Sequence, residues 1–340
     1  MRIITRTTPS VDTENWQNTL ATAFRHSDDL LAYLELPQNN PMAHQQAAKS
    51  FPLLVPKPFA DLMEKGNAND PLLRQVMTHP EETRHIEGFV TDPLDEQQSN
   101  VQPGIIHKYQ GRVLLIAATG CAVNCRYCFR RHFAYQDNQI GRKHWQDALS
   151  YVRNDRTIHE VILSGGDPLL LNDHLLSDLL DHIESIPHIK RVRIHTRLPV
   201  VIPARLTSAL VTRLGQSPLQ CSMVLHVNHA NELSQELQQG LQQLHQQGII
   251  LLNQSVLLRG INDQLIHLSE LSELLFEFRV IPYYLHLLDP VQGAHHFHVE
   301  EQEAIALHRQ LLANLPGYLV PKLVREVPGK ANKSPIDLDL

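Results

Sequence analysis

Three of the chain's four cysteines, Cys121, Cys125 and Cys128, fall within eight positions of "GCAVNCRYCFRRHF". An odd number of thiols cannot all pair as disulfides. The C-x3-C-x2-C spacing suits soft-metal chemistry instead, because thiolates favour zinc and iron–sulfur centres. Two donor sets are open. His132 would close a Cys3His zinc tetrahedron. Otherwise the three thiolates hold three irons of a cubane and leave the fourth iron free for a small-molecule ligand. Cys221 stands inside an apolar run, where a cysteine usually serves as a small buried residue. The other dense group of metal-ligand types is "GAHHFH", with His295, His296 and His298. Adjacent histidines point to opposite faces of an extended chain, which argues against a shared metal.

The elements that must hold these cysteines repeat at a regular interval. Short runs rich in β-branched residues start at 112, 160, 191, 220, 249 and 280, separated by 48, 31, 29, 29 and 31 residues. That interval matches one βα unit, so six such units predict a parallel sheet with helical crossovers. "ELSQELQQGLQQLHQQG" supports this, with Leu233, Leu237, Leu241 and Leu244 on one helical face and Gly248 closing it. No Rossmann-type glycine fingerprint follows the first run, so a partial (βα)6 barrel, an α/β fold, is expected. In such barrels chemistry gathers at the C-terminal strand ends, and the cysteines come directly after the first strand. Residues 1–105 are expected to form a mainly helical segment without a strong strand, 106–320 the barrel core, and 321–340 a C-terminal segment.

Composition excludes several classes. The formal net charge of −6 argues against a nucleic-acid binder. No apolar run is long enough to span a membrane, and "MRIITRTTPSVDTENW" lacks the apolar centre of a secretory signal. Clustered cysteines without a disulfide framework fit a reducing cytoplasm.

A cubane with one open iron would be chelated by the amino and carboxylate groups of S-adenosylmethionine. With "ILSGGDPLLL" one βα unit later, the chain resembles the radical S-adenosylmethionine superfamily. There the turn Ser164-Gly165-Gly166-Asp167 would bind S-adenosylmethionine beside a 4Fe–4S cluster on Cys121, Cys125 and Cys128. "HKYQGRVLLIAATGCAVNCRYCFRRHF", "SGGDPL", "RIHTRLPVVIPAR", "LLNQSVLLRGIND" and "YYLHLLDPVQGAHHF" together are similar to the lysine 2,3-aminomutase family over roughly residues 104–340. The resemblance implies that Lys333 of "VREVPGKANKSPIDLDL", not Lys322 or Lys330, carries pyridoxal 5′-phosphate. It assigns Arg130 to the substrate carboxylate, Asp289 and Glu326 to its ε-ammonium, and Arg112, Arg197, Asn253 and Gln254 to the cofactor's phosphate. The tail should then fold back over the barrel mouth, anchored by Ile336, Leu338 and Leu340.

The sequence ends seven residues after Lys333, without the cysteine-bearing extension of the longer family members. It therefore resembles the short bacterial branch, which makes (R)-β-lysine for elongation factor P. The resemblance implies L-lysine as substrate, a flavodoxin-like electron donor and a functional link to the β-lysine ligase of elongation factor P. A carboxylate at Asp289 would repel a glutamate side chain but leaves arginine open as an alternative substrate. A zinc-stabilised protein without catalysis is the competing reading from another class.

Overall fold

The computed structural model describes residues 15–37, 40, 43–135 and 142–338. One sheet organises the chain, with its ten strands hydrogen-bonded in sequence order. They are β1 (Asn100–Gln102), β2 (Ile105–Tyr109), β3 (Arg112–Ala118), β4 (Glu160–Gly165), β5 (Arg191–Thr196), β6 (Gln220–Leu225), β7 (Ile250–Val256), β8 (Ile281–His286), β9 (Lys322–Arg325) and β10 (Ser334–Pro335). Strands β3 to β9 run parallel. The helices Arg142–Asn154, Asp173–Glu184, Ser208–Gly215, Gln235–Gln246, Leu265–Glu277 and Glu301–Asn314 stand in the crossovers. All six expected βα units are present, and β9 adds a seventh parallel strand.

The first strand corrects the sequence reading. No strong strand was expected in residues 1–105, yet β1 and β2 pair antiparallel and dock on β3. At the other end, β10 folds back antiparallel on β9. Ile336 is buried and Leu338 packs beside it, against a cluster containing Leu311, Leu319 and Leu323. Leu340 lies outside the described residues. Among the described residues no backbone pairing closes the sheet into a ring. Side chains span the opening instead, with Lys108 of β2 donating to Glu326 just after β9 at 2.9 Å.

Each crossover helix forms for reasons visible in its residues. Gln235–Gln246 begins at Ser234, whose hydroxyl accepts the Leu237 N–H, and it buries Leu237, Leu241 and Leu244. The N-terminal helices pack as a layer on the same core: Trp16, Leu30, Phe59 and Leu73 share one buried cluster with Val113, Leu163 and Leu225 of the sheet. In that layer Asp70 accepts the N–H groups of Leu72 and Leu73, and Pro71 starts the helix Pro71–Val76. This layer faces the loop after β3 and grips it.

Candidate active site

The cysteine loop is held by the arginines within and behind it. Arg126 is fully buried and pairs with Glu82 of the N-terminal layer while donating to the Phe51 carbonyl at 2.7 Å. Arg131 reaches the same Glu82 at 2.8 Å and also donates to the carbonyls of Arg126 and Gly293. A buried guanidinium needs a counter-charge, so one carboxylate rivets both sides of the loop. Arg130 turns the other way, towards the turn after β4.

That turn packs directly against the cysteine loop. The register of β3 and β4 shifts between Ile116 and Ala118, next to the Ala118↔Gly165 pair. Gly165 has φ +114, a conformation L side chains rarely adopt, and a Cβ on Gly166 would collide with the carbonyl of Gly120. Two glycines are therefore required for this approach. Asp167 locks the turn: its carboxylate accepts from the Leu169, Arg197 and Leu198 N–H groups and from the Thr196 hydroxyl. All four bonds are internal, so Asp167 acts as a brace, while Ser164 and Gly165 of the same turn are buried and Gly166 is half-buried.

Burial pushes the Cys121 thiol well up, and neighbouring Cys128, Asp167 and Cys125 add to the shift. Cys128 is pushed up to about 11, first by burial and then by Cys125. A metal centre here would have to expel those protons on binding. Among the described residues no three Cys, His, Asp or Glu side chains are gathered to hold one metal ion. His132 bonds the carbonyl of Gln292 at 3.1 Å. Cys221 is buried in β6 beside Ser217, Glu184 and Arg213. The donor set and the glycine cradle fit a cluster on Cys121, Cys125 and Cys128.

A chain of alternating charges leads from this loop to the tail. Arg130 donates to Glu96 through Nε at 2.7 Å and Nη2 at 2.9 Å. Lys108 lies 3.2 Å from Glu96 and 2.9 Å from Glu326, and Lys333 lies 2.8 Å from Glu326. Burial opposes ionisation of Glu326, but Lys333 and Lys108 outweigh it and hold the carboxyl well below its usual range. Asp289 lacks such a contact: burial and the charge of Glu326 push it up to about 7, although Lys333 and Lys108 pull the other way. Lys322 and Lys330 are exposed while Lys333 is drawn inward over the Tyr284 ring, 6.0 Å from its centroid.

The barrel lumen beneath Lys333 is polar. His195 and His226 meet edge-on at 5.8 Å, and Gln254 bonds His286 at 2.8 Å. Burial drives all three imidazoles to the neutral form, His226 down to about 4. His195 Nε2 is buried without a partner, a polar atom left for a bound group.

The four expected phosphate contacts do not converge. Arg112 stacks over Tyr109 at 4.5 Å near the opening, and Gln254 faces the lumen. Asn253 bonds both the N–H and the carbonyl of Val227 at 3.0 Å, which uses both ends of its amide on the wall. Arg197 is spent at the cysteine loop on Glu232, Gln75 and the sulfur of Cys125. In the "GAHHFH" stretch, His295 bonds Glu81 at 3.2 Å and His296 stacks on His79. Those histidines clamp the loop after β8 to the N-terminal layer. Glu96 and Lys108 escaped the sequence reading altogether.

An open parallel barrel with three cysteines after its first parallel strand and a Gly-Gly turn after its second defines a radical S-adenosylmethionine enzyme. Residues 115–271 match the radical SAM superfamily. The chain belongs to the lysine 2,3-aminomutase family, whose members are isomerases. It is 52% identical to the L-lysine 2,3-aminomutase of Escherichia coli K12, covering 99% of this chain and 98% of that protein. The corresponding Haemophilus influenzae protein is 49% identical, with 98% and 99% covered. The L-lysine 2,3-aminomutase of Clostridium subterminale is 34% identical, covering 96% of this chain but 78% of that protein. A radical SAM methyltransferase from Sphaerobacter thermophilus superposes with a TM-score of 0.48 at 17% identity, over 65% of this chain and 68% of that one. No helix among the described residues is long and apolar enough to cross a membrane.

Proposed function

We propose that the chain converts L-lysine to β-lysine, in the R form, by a pyridoxal phosphate-dependent 2,3-amino shift, and that the product is destined for elongation factor P. The observation that carries this reading is the charge layout. A cation, Arg130, stands beside the glycine turn, while a lysine and two carboxylates, Lys333, Glu326 and Asp289, stand at the tail. L-lysine carries the complementary charges: a carboxylate at one end and an ammonium at the other. Together, the bound cluster, S-adenosylmethionine and pyridoxal phosphate would supply a carbon radical and a carbonyl to carry the migrating amine.

The protein's own share is binding, orientation and exclusion of water. Cys121, Cys125 and Cys128 would hold the cluster, and Ser164 with the Gly165–Gly166 backbone would border S-adenosylmethionine, braced by Asp167. Lys333 would hold the aldehyde cofactor, and Arg112 and Gln254 would contact its phosphate. Arg130 would take the substrate carboxylate, because a guanidinium fork binds it through two parallel bonds. Asp289 and Glu326 would face the ε-ammonium. The buried lumen keeps bulk water from the reacting carbons. A flavodoxin-like donor would supply electrons, and a cytoplasmic location fits the free thiols.

Anaerobic, reduced protein with S-adenosylmethionine and pyridoxal phosphate should convert free L-lysine to β-lysine, with the enantiomer read by chiral chromatography. Conversion of L-arginine in its place, or no product from protein with a full complement of iron, would refute the assignment. Borohydride reduction and peptide mapping should put the pyridoxyl label on Lys333; a label on Lys330 would move the cofactor site.

A further inference from the structure

Arg130 does not present its whole guanidinium to the lumen. Its Nε and Nη2 edge is closed by Glu96, at 2.7 and 2.9 Å, and both residues are buried. Among the described residues, Nη1 makes long hydrogen bonds of 3.3 Å, to the Ser164 hydroxyl and the Gly165 carbonyl. One edge is therefore spent within the protein, while the other is weakly engaged and directed at the glycine turn.

Glu96 is itself seated from two sides. Its N–H donates to Asp92 Oδ1 at 3.0 Å, and the Gln97 N–H donates to Asp92 Oδ2 at 3.2 Å. Asp92 thus caps the short helix Glu96–Ser99, whose preceding residue, Asp95, sits in a left-handed turn at φ 50. Lys108 then ties Glu96 to Glu326, and so to Lys333. Displacing Glu96 would break a two-point ion pair and the Lys108 contact, stranding a buried carboxylate. This weighs against a carboxylate that leaves when substrate arrives.

We propose that Glu96 is the positioning residue of Arg130: it permanently occupies one edge of the guanidinium and fixes the other to receive the substrate carboxylate. Through Lys108 the same residue sets the register between the carboxylate end of the site and the Lys333–Glu326 end. This rests on the reading of Arg130 as the carboxylate site. It adds a residue to that reading and gives a rule for selectivity: an amino acid with a free carboxylate binds, and its amide does not.

The experiment compares L-lysine with L-lysinamide on cofactor-loaded wild-type protein, Glu96→Gln, Glu96→Asp and Asp92→Asn. Iron and pyridoxal content are measured for each, and binding is followed by the change in pyridoxal absorbance as well as by KM and kcat. Wild type should prefer lysine by about tenfold or more. Glu96→Gln should lose most of that preference through KM, with kcat changed far less and lysinamide binding unaffected. Glu96→Asp should restore part of it. Asp92→Asn, which loosens the seat without touching Arg130, should move in the same direction by a smaller factor. If Glu96→Gln does not retain its cofactors, the Asp variants give the same comparison. A wild type indifferent to the amide would remove the Arg130 reading. A discriminating wild type with equally discriminating Glu96 and Asp92 variants would remove the Glu96 inference alone. Tighter lysine binding by Glu96→Gln would make Glu96 a competitor for Arg130 and overturn the proposal.

Discussion

Arg197 Nη1 lies 2.7 Å from the sulfur of Cys125, and the same guanidinium is pinned by Glu232 at 2.8 Å. Hydrogen bonds and positive charge at a cluster thiolate favour the reduced form, which carries the extra electron. Arg197→Gln should therefore keep its iron but hold a cluster with a more negative reduction potential, read by a titration followed by electron paramagnetic resonance. An unchanged or more positive potential would assign Arg197 to something other than the cluster.

Among the described residues Glu82 is the one counter-ion of Arg126, and it also pairs with Arg131 of the cysteine loop. Removing one member of a buried ion pair typically costs about 3–5 kcal/mol. Glu82→Gln should lower the melting temperature and impair iron uptake together. Full iron loading with unaltered melting would mean the loop is held by other contacts.

Burial and the charge of Glu326 push the Asp289 carboxyl up to about 7. A raised carboxyl is protonated below that pH, so its attraction for an ε-ammonium is present above about pH 7 and fades as pH falls through it. KM for lysine should rise as pH falls below 7, and Asp289→Asn should flatten that limb. Binding near pH 7 should also release protons, since the ammonium pulls the carboxyl back to its charged form. Calorimetry in two buffers of different ionisation enthalpy measures this, and proton uptake would contradict it.

Cys221 pairs in register with Val192 in the sheet and lies near Glu184 and Arg213, on side chains remote from the cysteine loop. Cys221→Ala should leave iron content and the cluster spectrum as they are. Loss of iron would mean the ligand set is wrong.

Much of this was legible in the sequence because the signals are local. The six strands announce themselves as β-branched runs at a steady interval, and the cysteines and the double glycine stand one βα unit apart. The β1–β2 hairpin was missed although Pro103 and Gly104 mark its turn, because β1 is three residues long and half exposed. Glu96 and Lys108 sit in "DEQQSN" and "HKY", compositions of an ordinary surface. Their partners Arg130 and Glu326 lie 34 and 218 residues away, a separation no local pattern encodes. Arg197 and Asn253 were placed at strand ends, but the protein contacts they make were not legible. At a strand end the direction of a side chain is settled by what it meets, here Glu232 and the Val227 backbone.

The strict sequence order of the sheet bears on how the chain is made. Each strand pairs only with its immediate predecessor and successor, so a chain leaving the ribosome can lay down the sheet as it emerges, without waiting for a distant partner. The cysteine loop is synthesised well before Lys333, which comes on the hairpin that β10 closes. A nascent chain arrested before Lys333 should already protect β3 to β8 from proteolysis.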